Sequence, residues 1–330
     1  MKWIEKYNGF LRSLRFFYFL YNVKNFKSLR RNKELYKAFG LKRSIFSSIQ
    51  YKNLEHLKIN PFLTKDKIIS GNIENHLSLN SFSPEEQIKI SNWNSEGFII
   101  LENFFSEVEV EKINHEISQI LNYGKAGFNY TGRKIMQSYQ HSKAVKNAFT
   151  NQRLLSILSI LLGKKVIPFH TINFLKGSEQ NAHSDAFHMS TFPEGNLIAV
   201  WVALEDIGED QGPLFYYPRT HLWPQIKNST LSLNDNFWKL DANANKKFET
   251  QAKNKLENSG IQPRIFLPKK GDILIWNSNL IHGGAYMKNE ELTRKSLVMH
   301  YFTEQALCFH EISQRPAIFD LCLLNELGLK

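Results

Sequence analysis

Apolar and polar residues follow a helical period in the first half of this chain and a strand period in the second. Near the N-terminus Phe10, Leu14, Phe17 and Tyr21 recur at helical spacing, with Leu11, Tyr18 and Phe19 beside them and Arg12, Arg15 and Lys24 breaking the apolar surface. Residues 46–80 carry the breakers Pro61 and Ser70-Gly71-Asn72 and read as a linker. Ser83-Pro84-Glu85-Glu86 predicts a helix start, with serine at the cap, proline at the first helical position and Glu86 closing a capping box. Residues 97–101 read as a short buried strand. Ser106, followed by Glu107 and Glu109, opens an amphipathic helix reaching about Leu121, with Val110, Ile113, Ile117 and Ile120 on its apolar face. Another helix is expected over 151–162, ending at Gly163.

Beyond that glycine the pattern changes. Segments 166–174, 197–204, 214–217, 273–276 and 296–303 are rich in Ile, Val, Phe, Tyr and Trp, and are separated by turns such as Gln211-Gly212-Pro213 and Lys270-Gly271-Asp272. Helices followed by many strands predict a mainly β domain with flanking helices, an antiparallel barrel or jelly roll. The expected division is a basic, mostly helical extension and linker over 1–80 and the main domain over 81–330. Residues 222–262 interrupt the strands with polar, helix-prone sequence, as a lid near a barrel mouth would.

Composition adds limits. The chain has 330 residues, 42% hydrophobic and 22% charged, the balance of an ordinary globular protein. Its net charge is +11, but twelve of the 42 Lys and Arg lie in residues 1–43 against two of the 31 Asp and Glu. The basicity therefore belongs to the N-terminal segment, and the pI does not make the main domain a nucleic-acid binder. A basic, aromatic helix can lie on an anionic membrane surface or dock on a protein. The alternative is that its aromatic residues pack on the main domain while the cations stay in water. Two cysteines, Cys308 and Cys322, form no disulfide framework and fit a reducing cytoplasm. No run approaches the roughly 18 apolar residues of a membrane span.

The informative chemistry is His183-Ser184-Asp185 with the distant His282-Gly283-Gly284. Two imidazoles and a carboxylate are the donor set of a facial metal triad, which leaves about three coordination positions open. On a strand, residues two apart point to one side, so His183 and Asp185 can reach one ion together. Zinc or another divalent ion doing hydrolysis or isomerisation on the same triad is an alternative, as is a noncatalytic binding barrel. His141, His170, His300 and His310 read as structural.

Several segments resemble the phytanoyl-CoA dioxygenase-like family of Fe(II)- and 2-oxoglutarate-dependent oxygenases over about residues 90–304. They are Ser95-Glu96-Gly97-Phe98-Ile99-Ile100 with Phe104-Phe105-Ser106; Gln180-Asn181-Ala182-His183-Ser184-Asp185; Ala199-Val200-Trp201-Val202-Ala203-Leu204-Glu205-Asp206 with Gly212-Pro213-Leu214; and Gly271-Asp272-Ile273-Leu274-Ile275-Trp276 leading to Ile281-His282-Gly283-Gly284. The resemblance implies a double-stranded β-helix (jelly-roll) core. It implies Fe(II) held by His183, Asp185 and His282, and 2-oxoglutarate paired through its 5-carboxylate with Arg294 and lying near Trp201. With O2 this gives succinate, CO2 and oxidation of a C–H bond in a small-molecule or lipid-like substrate; with Asp185 present, hydroxylation is expected rather than halogenation. Gln180, His188, Tyr216 and His221 are candidate substrate-pocket residues. Two positions depart from the family's pattern. Arg219 replaces a glycine, either reshaping a turn or offering a cation, and Gly284 stands where a hydroxyl residue is common.

Overall fold

The computed structural model describes residues 14–57, 82–129, 132–233 and 239–329. Phe10, Leu11 and Arg12, and most of the expected linker including Pro61 and Ser70-Gly71-Asn72, lie outside the described residues.

Helices α1 (Arg15–Lys24) and α2 (Phe26–Phe39) come first. α3 (Pro84–Ser91) starts with the expected capping box, Ser83 and Glu86 each bonding the other's backbone N–H. It is followed by β1 (Phe98–Leu101) and by α4 (Glu107–Asn122), which Ser106 and Glu109 cap in the same way. Next come β2 (Lys134–Met136), α5 (Lys143–Phe149) and α6 (Gln152–Leu162), the last capped by Asn151 and stopped at Gly163. The strand-rich half contains β3 (Val166–Phe174), β4 (Ser190–Phe192), β5 (Leu197–Ala203) and β6 (Leu214–Tyr216). The insertion then contributes α7 (Ala244–Ser259). The chain closes with β7 (Arg264–Phe266), β8 (Ile273–Asn277), β9 (His282–Gly284), β10 (Ser296–Thr303), β11 (Leu307–His310), β12 (Arg315–Pro316) and α8 (Leu321–Glu326).

Six strands form one antiparallel sheet in the order β1-β8-β5-β10-β3-β2, and smaller sheets run β7-β6-β9 and β12-β11-β4. Strand alternation splits the core in two. Ile198, Val200 and Val202 of β5, Ile273 and Ile275 of β8, and Leu297, Met299 and Tyr301 of β10 join the apolar faces of α4, α5 and α6. Ala199, Trp201 and Ala203, Leu274 and Trp276, and Val298 point the other way, meeting Leu214, Tyr216 and Phe266 of the smaller sheet. This is the layering of a double-stranded β-helix with helices buttressing one face. Each fully buried large apolar side chain contributes about 1.5–3 kcal/mol. Gly271 joins the layers, because its φ of +91° disfavours a side chain and a Cβ there would lie 2.2 Å from the Phe105 carbonyl oxygen.

The segment after α1 shares a core with the barrel: Tyr36, Phe39, Leu41, Ile49, Tyr51 and Leu54 pack with Phe192, Leu307 and Phe309. Glu311, 1% exposed, ties three regions together. Its carboxylate accepts from Tyr51 N–H and Asn228 N–H, both at 3.1 Å. Burial pushes its pKa up to about 7, against the pull of those two donors and of Lys227. A carboxyl whose folded pKa is raised keeps its proton in the native state while the unfolded chain loses it, so its contribution to stability falls as pH rises from about 4.5 to 7. Relative to Glu311→Gln, the wild type should lose roughly 3 kcal/mol across that window. Urea denaturation of both chains at several pH values checks this; a constant difference between them would contradict it.

Candidate metal centre

His282 opens β9, and the segment through His183 pairs with it in an isolated antiparallel bridge. His183 N–H donates to the His282 carbonyl and His282 N–H to the His183 carbonyl, each at 2.9 Å. Residues paired this way direct their side chains to one face, and the two imidazole centroids lie 4.4 Å apart. Ser184 is extended (φ −113°, ψ 142°), which returns Asp185 to that face. The strand expected through Asp185 does not continue. The chain enters one helical turn, Asp185–His188, closed by Met189 N–H on the Asp185 carbonyl at 2.7 Å. That turn drives Phe187 into the apolar cluster of α7, where its ring stacks on Phe248 at 4.0 Å.

Donor atoms of His183, Asp185 and His282 all lie within 4.8 Å of one another. Asp185 Oδ1 is 4.0 Å from His183 Nε2 and 3.8 Å from His282 Nε2. Each Nδ1 faces a carbonyl, His183 to Asn181 at 2.8 Å and His282 to Leu280 at 3.0 Å. A carbonyl only accepts, so each Nδ1 carries a proton, which leaves Nε2 of each ring as the nitrogen that can serve as a metal donor. Burial alone would raise the Asp185 pKa, but His282, His300 and His183 together hold its carboxyl well below the usual carboxylate range. Its second oxygen accepts from Trp276 Nε1 at 2.9 Å and lies 3.5 Å from His300 Nε2. Two imidazole nitrogens and one anionic oxygen converging on a point suit a divalent cation.

The triad opens on a cavity of about 750 Å³ whose lining includes Gln180, His188, Trp201 and Arg294. The Gln180 amide nitrogen lies 3.0 Å from His183 Nε2, and its oxygen accepts from Lys134 Nζ at 3.1 Å. Arg294 is 2% exposed, and its guanidinium lies 5.5 Å from the Phe174 ring and 5.7 Å from that of Trp201. Burial lowers its pKa to about 10 against the pull of Glu205, so it remains a cation at neutral pH. Its Nε has no hydrogen-bond partner, and among the described residues no carboxylate is ion-paired with it.

Tyr216 and His221 do not line this cavity. The Tyr216 ring packs on Phe98 at 4.5 Å in the core between the sheets. His221 bonds the Asn94 carbonyl at 3.1 Å and presses on Gly97, where a Cβ would come within 2.2 Å of its Nδ1. Arg219 is held in a turn: at φ 67° it donates Nε–H and Nη2–H to Glu96 Oε1 at 3.0 and 2.8 Å. Gly284 leaves no room for a side chain, since a Cβ would lie 2.4 Å from Ser178 Oγ, a hydroxyl that itself reaches the cavity.

Lys134, Trp276 and Arg315, which no motif marks as site residues, and His170, His300 and His310, which read as structural in the sequence, all line the cavity. Alternation offered a signal for two of them, because Trp276 and His300 share strand faces with Leu274 and Val298. Burial lowers the pKa of His170 to about 3, of His188 to about 4 and of His310 to about 3. At neutral pH these rings are uncharged and do not repel a cation.

A family model for phytanoyl-CoA dioxygenase (PhyH) matches residues 93–296. The peroxisomal phytanoyl-CoA dioxygenase of Homo sapiens is 22% identical over 230 residues, covering 62% of this chain and 64% of that protein. That of Mus musculus is 21% identical over 270 residues, covering 69% and 75%. The match thus spans somewhat less than two thirds of the human relative. Among solved structures, SnoN, described as a non-heme alpha ketoglutarate dependent epimerase from nogalamycin biosynthesis, aligns with TM-score 0.54 and 14% identity over 70% of this chain and 85% of that one. EctD from S. alaskensis with 2-oxoglutarate and 5-hydroxyectoine aligns with TM-score 0.51 and 17% identity over 68% and 78%. These two share the fold. With the family model matching more than half of its length, the chain belongs to the phytanoyl-CoA dioxygenase family.

Proposed function

We propose that this chain is an Fe(II)- and 2-oxoglutarate-dependent dioxygenase that hydroxylates an unactivated C–H bond of a small-molecule or lipid-like substrate, with release of succinate and CO2. Arg294 carries the reading. A buried guanidinium ion-paired with no carboxylate is costly unless an anionic ligand completes the pair; the Glu205 carboxylate that pulls on Arg294 is bonded to Thr293 Oγ1 and Lys295 N–H, and Arg294 shares its cavity with the triad.

His183, Asp185 and His282 would hold the metal, and Arg294 would bind the 5-carboxylate of 2-oxoglutarate in a two-pronged pair. With 2-oxoglutarate and O2 bound, iron supplies the oxidising power for C–H cleavage. Trp276 fixes the second oxygen of Asp185, so that Oδ1 faces the two Nε2 atoms. Trp201 and Phe174 wall the Arg294 end and keep water from it. Gln180 and His188 are placed to meet a substrate. Asp185, retained as a carboxylate, favours hydroxylation over halogenation. The 222–262 insertion would act as a lid, with Phe248 of α7 lying over the helical turn that follows Asp185 and Asn245 reaching the cavity. The expected boundary near residue 80 would separate an accessory segment from the catalytic domain. Cys308 and Cys322 are both free thiols, consistent with a cytoplasmic setting, and no described helix is long and apolar enough to cross a membrane.

Anaerobic addition of Fe(II) and 2-oxoglutarate should give a weak metal-to-ligand visible absorption, and air should then give succinate. Metallated protein that shows neither overturns the reading. His183→Ala should lose iron. Arg294→Ala should keep iron and bind 2-oxoglutarate about thirtyfold or more weakly, the loss expected on stripping one partner from a buried charge pair. Trp276→Phe should fold normally and bind Fe(II) about 10–100-fold more weakly, as metal competition titrations can measure. Unchanged affinity would remove Trp276 from the supporting role.

A further inference from the structure

α1 is built inside out. Phe16 (58% exposed), Phe17 (43%), Phe19 (44%), Leu20 (47%), Tyr21 (46%) and Val23 (42%) face solvent. The stripe turned to the protein is Arg15, Tyr18 and Asn22: Asn22 is 1% exposed and donates to the Phe46 carbonyl at 2.9 Å, and the Arg315 guanidinium lies 4.7 Å from the Tyr18 ring. A surface helix of a globular protein has the opposite arrangement. An apolar patch of this extent marks a contact surface. The charge nearby indicates its partner. Lys24, Lys27, Arg30, Lys33 and Lys37 are exposed, and among the described residues none of them is in an ion pair; Glu34 is the one acid in α1 and α2.

We propose that α1 rests on an anionic lipid surface, its aromatic and aliphatic side chains at the headgroup boundary and the cations that follow on the headgroups. Docking there has a consequence for the site. Tyr21 and Arg315 line the triad's cavity, and the Arg315 guanidinium lies 6.0 Å from the Tyr21 ring. That end of the cavity then faces the lipid, and an amphiphilic molecule can pass into it from the bilayer. The docking does not rest on the catalytic reading; the route into the cavity does.

The test is sedimentation of the full chain with phosphatidylcholine vesicles containing or lacking phosphatidylglycerol. Binding is expected on the anionic vesicles at low salt, falling as salt screens the charges. The triple variant Phe16→Ser, Phe19→Ser, Leu20→Ser should keep its circular dichroism spectrum and its Fe(II) affinity while binding vesicles at least about tenfold more weakly. Lys27→Gln with Arg30→Gln should weaken binding about thirtyfold, near fivefold for each cation removed. No sedimentation with anionic vesicles at low salt, or unchanged binding by the triple variant, overturns the proposal. So does a concentration-dependent dimer abolished by the triple variant in a chain that ignores vesicles, which would give the face to a second copy. Vesicle binding without succinate formation keeps the docking and removes the catalytic reading.

Discussion

Two backbone hydrogen bonds between His183 and His282 hold this site together. They join segments far apart in the chain, and because the residues exchange both bonds, their side chains must emerge on one face. The neighbouring glycines make the approach feasible. A Cβ at Gly283 would lie 2.5 Å from the Phe215 ring and 2.7 Å from the Gln180 carbonyl oxygen, and one at Gly284 would meet Ser178 Oγ. The His-Gly-Gly run is therefore a steric requirement of the bridge as well as the carrier of a donor atom. With the bridge set, one extended residue, Ser184, brings Asp185 into the same space.

Charge in the cavity follows from that geometry. Among the described residues Asp185 is the one carboxylate lining it, and its close partners are imidazoles and the Trp276 N–H, with no lysine or arginine ion-paired to it. A strong Arg–Asp pair there would neutralise the carboxylate and remove it as a donor to a cation. Arg294 instead lies among Phe174 and Trp201, with no ion-pair partner among the described residues. Keeping the anion and the cation unpaired in one low-dielectric cavity costs stability. On the proposed reading that cost would be recovered when ligands of opposite charge complete each half, a cation at Asp185 and an anion at Arg294.

Long or capped elements were legible in the sequence. The capping boxes at Ser83 and Ser106, and the strands Val166–Phe174 and Ser296–Thr303, appear where residue pattern placed them, because each spans enough residues for a period or a stop to show. Among the strands of two to four residues, β1 and β6 show through their apolar runs, whereas β4, β7, β9 and β12 carry no period that marks them. The three donors and Arg294 could be named from spacing and resemblance. The supports could not, since the Trp276 bond to Asp185 and the neutrality of His170, His188 and His310 depend on which strand faces meet. Tyr216 and His221 show the converse: near the site in sequence, they are spent on the inter-sheet core and on the turn at Gly97. Helical spacing in the N-terminal segment located α1 but could not say which face turns outward.

The cavity's two ends have different origins in the chain. His183, Asp185, His282, Arg294 and Trp201 all fall within residues 93–296, the part matched by the family model. Tyr21, His300, Phe309, His310, Arg315 and Ile318 line the same space from outside it. The three donors and Arg294 of the proposed metal and cosubstrate end thus come from what the family shares, while β10 adds His300 beside Asp185 and β11, β12 and α1 supply further wall. Family membership accordingly constrains the reaction more tightly than the molecule on which it acts. Substrate choice would be exercised at a wall of imidazole rings, apolar rings and Arg315, and that wall ends at the inside-out helix.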